Sequence, residues 1–284
     1  MRFYESILCG DESPRYLQAD LEGLLARSLK LSSPCRLCGH ECLAERGLGE
    51  AGWCGVLESR VSSLHPHYGE EDFLVPSLTV FFTGCNFDCV YCQNADISGR
   101  PEAGVRYNPG ELAELIRGFE FLNINWVGGD PTPHIPYILE VLGLLDVEKP
   151  QVFNTNMYLS QDAMDVVVEF ADMFLTDLKY GSNKCGRLSG VEDYYDVVPR
   201  NHAKVYGRSD LLIRHLVLPG HVECCSKPVL DWISENTPDA VVNVMSQYRP
   251  MNRADEFTTL SRRVDPNEVK EAREHAHKLG LRTC

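Results

Sequence analysis

The sequence has few basic residues and no long apolar run. Lys and Arg total 27 against 41 Asp and Glu, giving a formal net charge of -14, and so acidic a surface repels nucleic-acid backbones and anionic lipid headgroups. No stretch reaches the ~20 apolar residues of a membrane helix, and residues 1–12 are acidic where a signal peptide would be basic and then apolar. We therefore expect a cytoplasmic protein that binds neither nucleic acid nor membrane.

Several patterns of common enzymes are also missing. The sequence has no internal repeat, no low-complexity tract and no G-x-S-x-G, H-E-x-x-H or P-loop pattern, so it gives no support to ordinary hydrolase chemistry. Its 284 residues are 44% hydrophobic and 24% charged, close to the average for globular proteins. This composition excludes disordered and fibrous classes and predicts a well-buried core.

Cysteine, in contrast, is abundant. Cytosolic thiols stay reduced, so the twelve cysteines of this chain suggest metal ligation rather than disulfides. Seven of them form two groups, Cys35, Cys38, Cys42 and Cys54, then Cys85, Cys89 and Cys92. The other five are scattered, at Cys9, Cys185, Cys224, Cys225 and Cys284. The two groups predict two metal sites.

From residue 78 onward, short apolar runs alternate with helix-length amphipathic segments, a pattern typical of βα units and a mostly parallel sheet. The predicted strands are 78–82, 123–127, 151–154, 173–177, 210–216 and 240–245. The predicted helices lie near 108–119, 136–145, 161–170, 196–206, 227–235 and 265–279. We expect an open or partial α/β barrel over residues 78–284, with residues 1–77 as an N-terminal extension that binds its own metal.

Three cysteines follow directly on the first of these strands, with the spacing Cys85-x3-Cys89-x2-Cys92. Three thiolates on one tight loop can ligate three irons of a cubane iron–sulfur cluster and leave the fourth iron open to a substrate or cofactor. In α/β sheets and barrels, ligands bind at the carboxyl ends of the strands, which is where this loop lies. A zinc knuckle completed by a distant fourth ligand is the alternative.

The loop resembles the cluster motif of the radical S-adenosylmethionine (SAM) enzymes, and later segments resemble further family motifs. Gly128-Gly129-Asp130-Pro131 is similar to the GGEP segment that binds the SAM amino group, with Asp130 in place of Glu. Residues 176–179 and 213–220 resemble the D-x-K and VRxVVxPG segments of glycyl-radical-enzyme activases. The resemblance implies a partial (β/α)6 barrel in which Cys85, Cys89 and Cys92 are catalytic and hold a [4Fe-4S] cluster. It implies that the following residues bind SAM: Tyr91, Gly128, Gly129, Asp130, Pro131, Asn154, Asn156, Asp177, Lys179, Arg214 and His215.

The likeness is strongest to an uncharacterised branch similar to pyruvate formate-lyase-activating enzymes, and it covers nearly the whole chain. It rests on the segments 81–94, 128–134, 188–195 and 215–225. Taken singly, some of these residues also fit plainer roles. The Gly-Gly pair can be a turn, Asp177 and Lys179 a surface ion pair, and His215 a hydrogen-bonded core histidine.

The resemblance implies an anaerobic, oxygen-sensitive oxidoreductase that reductively cleaves SAM to a 5′-deoxyadenosyl radical and abstracts hydrogen from a substrate. We expect an activase-like enzyme that acts on a protein partner, such as a glycyl radical enzyme, and receives electrons from a flavodoxin or ferredoxin. A radical SAM enzyme acting on a peptide or small metabolite is the first alternative. The second is a non-catalytic iron–sulfur or zinc protein for electron transfer or interaction.

The N-terminal group, Cys35-x2-Cys38-x3-Cys42-x11-Cys54, places four soft ligands within 20 residues. A structural zinc and an auxiliary iron–sulfur cluster both accept four thiolates, and the residues leave both open. Zinc would stabilise the fold of this segment, whereas a cluster could transfer electrons. The adjacent Cys224 and Cys225 fit either small buried side chains or a reactive or metal-binding pair.

Overall fold

The computed structural model describes residues 1–284, and its framework is one sheet of eight strands. The strands are β1 Val61–His67, β2 Ser77–Phe82, β3 Asn123–Gly128, β4 Gln151–Thr155, β5 Met173–Asp177, β6 Asp210–Leu216, β7 Val241–Met245 and β8 Arg282–Thr283. They lie side by side in chain order. β1 pairs with β2 in antiparallel orientation, and every later pair is parallel.

Ten α-helices accompany the sheet. They are α1 Arg2–Cys9, α2 Leu21–Ser32, α3 Ala95–Ser98, α4 Pro109–Arg117, α5 Ile135–Leu142, α6 Gln161–Val167, α7 Asn183–Gly186, α8 Tyr194–Val205, α9 Lys227–Asn236 and α10 Pro266–Lys278. The best predicted starts are those with a capping box. The side chains of Asn108 and Asp265 accept hydrogen bonds from the first turns of α4 and α10.

The α/β fold class and the partial barrel are confirmed, since six parallel strands alternate with helices and the sheet does not close. All six predicted strands are present as β2 to β7, and β1 and β8 extend the sheet to eight strands. β1 has the sequence VSSLHPH, with only an irregular apolar pattern and an internal Pro66, which demotes a strand prediction. β8 has only two residues, too few for any pattern.

Residues 1–77 pack on the barrel and share its core. β1 forms the antiparallel edge of the sheet, and Leu24 of α2 and Leu37 belong to the main cluster of 63 buried apolar residues. A second cluster fills the amino end of the barrel, at Tyr4, Leu74, Val152, Met173, Leu175, Leu212 and Val241. α1 supplies Tyr4 to this cluster, which we call the apolar plug. The N-terminal helix thus closes one end of the barrel.

Candidate active site

A cavity of about 520 Å³ lies inside the barrel at the carboxyl ends of the parallel strands. Its walls include Cys85, Cys89 and Cys92 together with residues that follow β3, β4 and β5. Parallel strands end at the same edge of a sheet, so segments distant in the sequence meet there. Most of the residues predicted to bind SAM line this cavity: Tyr91, Gly128, Gly129, Asp130, Asn154, Asn156, Asp177, Lys179 and Arg214.

The cysteine loop, residues 83–94, is held by backbone hydrogen bonds to a neighbouring segment and by a contact within the loop. The amides of Asp88 and Val90 donate to the carbonyls of Ser189 and Leu188, 2.9 Å away in both cases. The Cys85 sulfur accepts a hydrogen bond from the amide of Phe87 at 3.3 Å. These contacts fix the loop so that all three sulfurs border one cavity.

Asn86, fully buried within the loop, connects it to the end of β4. Its side chain accepts from Asn156 at 2.7 Å and donates to the carbonyl of Tyr158 at 3.2 Å. Asn156 therefore supports the cysteine loop as well as lining the cavity. Its position after β4 was predicted, but this contact leaves no mark in the sequence.

The environment of Cys85 and Cys89 fits a positively charged ligand. Burial raises the pKa of Cys85 well above its usual range, and the nearby negative charge of Asp130 adds to the effect. Burial likewise raises the pKa of Cys89 to about 12, although the Lys179 ammonium opposes the shift. A thiol binds metal only after it has lost its proton, so the iron of a cluster would supply the charge that stabilises the thiolates here. Three protein sulfurs fit a cluster that keeps one iron open.

The glycine pair after β3 lies too close to neighbouring backbone for any side chain. Gly128 has φ +138°, and a Cβ atom there would lie 2.1 Å from the carbonyl oxygen of Phe82. At Gly129 a Cβ would lie 2.0 Å from the carbonyl oxygen of Gly84. Only glycine permits this approach, which brings the end of β3 against the start of the cysteine loop.

Asp130 is a buried anchor between two strand ends. Its carboxylate accepts hydrogen bonds from the amide of Thr132 at 2.9 Å, the hydroxyl of Thr155 at 3.0 Å and the amide of Asn156 at 2.8 Å. Burial raises the pKa of this carboxyl, while these hydrogen bonds oppose the shift. With its oxygens occupied by the protein, Asp130 acts on the cavity by fixing the backbone around it.

The register of the parallel strands aligns Asp177, Arg214 and Asn243 in one row across β5, β6 and β7. Asp177 binds the ammonium of Lys179 at 2.9 Å. Burial alone would lower the pKa of Lys179, but the charge of Asp177 and its hydrogen bond to the ammonium outweigh burial and raise the pKa. Lys179 is therefore a permanent cation beside the cysteine loop.

Arg214 is paired deep in the cavity with Glu70 and Glu71, which follow β1. Asn243 also donates to Glu71, at 2.8 Å. Burial would raise the pKa of Glu71, but its hydrogen bonds and the charge of Arg214 lower it. Sequence reasoning missed both glutamates, because adjacent acidic residues in a loop resemble a solvated surface and their partner is more than 140 residues away.

Two residues predicted to bind SAM do not line the cavity, Pro131 and His215. Successive side chains of a strand point to opposite faces, so His215 points outward where Arg214 points into the barrel. Its ring contacts the carbonyl oxygen of Leu178 at 2.8 Å and the hydroxyl of Ser226 at 2.9 Å. His215 has the hydrogen bonds of a core histidine, the plainer of its two roles.

The N-terminal cysteines lie against the same loop from outside the barrel. The His40 ring contacts the carbonyl oxygen of Asn86 at 2.9 Å and stacks on Trp53 with a centroid separation of 4.0 Å. A second cavity, of about 490 Å³, is lined by Cys54 on one side and by Cys85, Cys89 and Cys92 on the other. The two cysteine groups are thus neighbours in space.

Comparison with known proteins defines the class to which this site belongs. Residues 79–233, more than half of the chain, match the sequence model of the Radical SAM superfamily, and the chain belongs to that superfamily. The cysteine loop, the glycine pair and Lys179 all lie within the matched residues. The superfamily implies a [4Fe-4S] cluster and SAM as cofactors, as the sequence resemblance predicted.

Among individual relatives, an uncharacterised protein of Methanocaldococcus jannaschii is 45% identical over 256 residues, which are 87% of this chain and 75% of that protein. The 7-carboxy-7-deazaguanine synthase of Methanothermobacter thermautotrophicus is 30% identical over 130 residues, 40% of this chain and 51% of the synthase. The chain therefore spans three quarters of the first relative and about half of the second.

Similar folds occur in solved structures of much lower identity. SuiB of Streptococcus suis bound to its precursor peptide SuiA has a TM-score of 0.54 at 14% identity, over 73% of this chain and 48% of SuiB. The anSMEcpe protein with bound AdoMet and the Kp18Cys peptide has a TM-score of 0.53 at 14% identity, over 71% of this chain and 59% of that protein. These likenesses support the fold. None of the ten α-helices has the length and the apolar composition of a membrane-spanning segment.

Proposed function

We propose that this radical SAM protein abstracts hydrogen from a segment of a protein partner, in the manner of an activase. The observation that carries the proposal is the size of the barrel cavity, about 520 Å³, beside the cysteine loop. Pockets for one drug-sized ligand span ~300–1,000 Å³, and SAM alone is a ligand of that size. A second reactant must then enter from the mouth of the barrel.

The opposite end of the barrel offers no entrance. The apolar plug around Tyr4 and Leu74 fills it, and the ion pairs of Arg214 with Glu70 and Glu71 lie above this plug. An extended segment of another chain can reach into the open mouth while the rest of the partner stays outside. This geometry supports a macromolecular substrate.

Each part of the chain has a definable task in the reaction. Cys85, Cys89 and Cys92 would ligate the cluster, and the backbone of Gly128 and Gly129 would bind the SAM amino group. When bound, cluster and SAM together supply a 5′-deoxyadenosyl radical from one-electron cleavage of the sulfonium. The chain contributes position and exclusion of water.

The charged side chains of the cavity have separate roles. Asp130 keeps the backbone at the ends of β3 and β4 in place through its hydrogen bonds. Lys179 offers a cation to the SAM carboxylate, and Asp177 orients its ammonium. The hydroxyl of Tyr91 hydrogen-bonds that of Tyr180 at 2.6 Å, which fixes the ring beside the cavity where the family motif places the adenine.

The surface charge bears on the choice of partners. The net charge of -14 favours a substrate protein with a basic docking patch. The mouth is bordered by the exposed polar residues Gln93, Asn94 and Gln247, which suit a polar backbone segment. A flavodoxin or ferredoxin remains the electron donor that we propose.

A peptide or small metabolite is the second candidate substrate, and the small metabolite has an observation of its own. It is favoured by the local similarity to 7-carboxy-7-deazaguanine synthase, whose name denotes a low-molecular-weight product. For such a substrate the polar side chains of Asn154 and Asn243, which line the cavity, would supply hydrogen bonds.

Deuterium transfer separates these proposals. Extract from cells grown on deuterated medium is divided into macromolecular and low-molecular-weight fractions, and each is incubated anaerobically with reconstituted enzyme, SAM and dithionite. We expect mass spectrometry to find deuterium in 5′-deoxyadenosine only after incubation with the macromolecular fraction. Transfer from the small-molecule fraction would favour a metabolite, and the C85A/C89A/C92A variant controls for exchange without the cluster. Absence of any 5′-deoxyadenosine would leave the non-catalytic alternative.

We further propose that Cys35, Cys38, Cys42 and Cys54 hold an auxiliary iron–sulfur cluster. Ligands 2.3 Å from one tetrahedral zinc lie only ~3.8 Å apart, whereas no three sulfurs of this group lie within 4.8 Å of one another. The thiolates of a cubane bind different irons and are spaced more widely. The cavity shared by Cys54 and the cysteine loop supports a redox role.

This second centre is measured in the C85A/C89A/C92A variant, which lacks the first. Iron and sulfide that remain after reconstitution, and that disappear when Cys38 and Cys54 are also replaced, would support the auxiliary cluster. Zinc in their place would contradict it and restore the structural-zinc alternative.

A further inference from the structure

Three cysteines outside both predicted groups converge at one point. Cys185 lies in α7, and Cys224 and Cys225 lie in the helical turn 222–226 before α9. Their sulfur atoms all lie within 4.8 Å of one another, and those of Cys224 and Cys225 are 3.9 Å apart. We call this set the thiol triad. Nothing in its sequence spacing pairs Cys185 with the other two.

One close approach brings the two segments of the triad together, and hydrogen bonds within each segment fix their conformations. A Cβ atom at Gly181, just before α7, would lie 2.7 Å from the carbonyl oxygen of Cys224, so glycine permits the close approach. The Ser182 side chain accepts a hydrogen bond from the amide of Cys185 at 3.3 Å. The amide of Cys225 donates to the carbonyl of His221 at 2.9 Å. The convergence is therefore supported by the backbone of both segments.

We propose that the thiol triad binds a single thiophilic divalent cation of the zinc class, with an open fourth position. Thiolates bound to one tetrahedral zinc lie ~3.8 Å apart, which the triad can reach with small rotations of its side chains. Cys225 is buried and Cys185 half-buried, whereas Cys224 is exposed. The fourth position thus faces solvent, where water or a ligand can occupy it.

The electrostatics of the triad agree with a cation. Burial raises the pKa of Cys224 and Cys225, and the neighbouring thiol of Cys185 raises both further. Without a cation these thiols stay protonated. A bound divalent ion stabilises the thiolates, and their protons are released to solvent on binding.

The triad also braces the active site from outside. α7 is followed by Leu188 and Ser189, whose carbonyls accept the hydrogen bonds of Val90 and Asp88 in the cysteine loop. An ion shared by α7 and the turn 222–226 would fasten the segment behind that loop to the end of β6. Loss of the ion is expected to loosen residues 181–189 in hydrogen exchange.

The test compares anaerobically reconstituted wild type with C224S and with C185S/C225S. C9S, at an exposed cysteine outside every cluster, is the matched control. Zinc content by mass spectrometry is measured after incubation with Zn²⁺ and desalting. We expect wild type and C9S to retain one zinc more per chain than C185S/C225S, and C224S to lose it at least tenfold faster to a chelator. When Co²⁺ is added in place of Zn²⁺, the spectrum of wild type should gain a thiolate-to-cobalt charge-transfer band. The same addition to C185S/C225S should not produce this band.

Alkylation provides a readout that does not depend on the folding of variants. In wild type, Zn²⁺ should slow the iodoacetamide labelling of Cys185 and Cys224, measured by peptide mass spectrometry, and leave that of Cys9 unchanged. Equal labelling with and without Zn²⁺, or equal zinc content in wild type and C185S/C225S, would overturn the proposal. A disulfide within the triad in anaerobically purified protein would overturn it as well.

Discussion

Three fully buried histidines should make the fold sensitive to mildly acidic pH. Burial lowers the pKa of His134 to about 3, and of His202 and His215 to about 4, from the ordinary 6.5. The ring nitrogens of His134 contact the carbonyl oxygen of Thr83 and the hydroxyl of Ser59, both at 2.9 Å. A neutral imidazole satisfies such a pair of partners with one donor and one acceptor. All three histidines therefore stay neutral in the native state at pH values where the unfolded chain is protonated.

The size of the effect follows from this difference in proton binding. Because the native pKa is depressed, stability is lost as the pH falls below 6.5 and continues to fall until the native pKa is reached. Between about pH 7.5 and about pH 5.5, each such histidine lowers the free energy of unfolding by about 1.3 kcal/mol. Together the three lower it by about 4 kcal/mol over this interval.

Urea unfolding of reduced, cluster-free protein at the two pH values measures this loss. In His215→Gln, the pH-dependent loss should be smaller than in wild type by about 1.3 kcal/mol, whatever the absolute stability of the variant. His277→Gln, at an exposed position of α10, is the matched control and should keep the wild-type dependence. Identical pH dependence in wild type and His215→Gln would refute the reasoning.

Three further predictions concern single residues of the site. Asp130→Asn removes a buried charged acceptor, and hydrogen bonds to charged groups contribute about 1.5–3 kcal/mol each. The affinity for SAM, measured by equilibrium dialysis, should therefore fall at least tenfold. Asp96→Asn, on the exposed surface, is the control and should leave the affinity unchanged. Arg214→Ala leaves Glu70 and Glu71 buried without a cation and should lower the free energy of unfolding in urea by about 3–5 kcal/mol. Arg106→Ala, which breaks an exposed ion pair, should lower it by less than about 1 kcal/mol. Equal losses in the two variants would contradict the account of a buried ion pair. Gly128→Ala would place Cβ 2.1 Å from the carbonyl oxygen of Phe82 and should abolish soluble folded protein. Gly143→Ala, where φ is -64° and a Cβ would make only an ordinary 3.5 Å contact, should fold. Normal SAM binding by Gly128→Ala would contradict the crowding.

The sequence predicts the parallel part of the fold well, because each element there carries its own local signal. The buried runs that form β2 to β7 are short and apolar, and the capping residues Asn108 and Asp265 mark helix starts. β1 and β8 lack such signals, and only pairing with a neighbouring strand makes them extended. The plug at the amino end of the barrel depends on packing of α1 residues against distant strands.

The residues of the site also differ in how well the sequence predicts them. Residues in motifs at strand ends, such as Cys85 and Gly128, are predictable because the chemistry and the close backbone approach restrict the residue type. His215 shows the limit, since an apolar strand pattern does not say which of two neighbours faces the barrel interior. Glu70 and Cys185 have their partners on distant segments, so only the folded chain brings them into view.

Reductive SAM cleavage tests the central claim most directly. Wild type and the C85A/C89A/C92A variant are reconstituted anaerobically, analysed for iron and sulfide, and assayed for dithionite-dependent formation of 5′-deoxyadenosine, with C9A/C284A as the control for cysteine removal. Wild type and C9A/C284A should produce 5′-deoxyadenosine, while the triple variant should lack one cubane of about four irons and produce none. A wild type that binds only zinc, or that holds a cluster yet yields no 5′-deoxyadenosine, would contradict the assignment of radical SAM chemistry to this site.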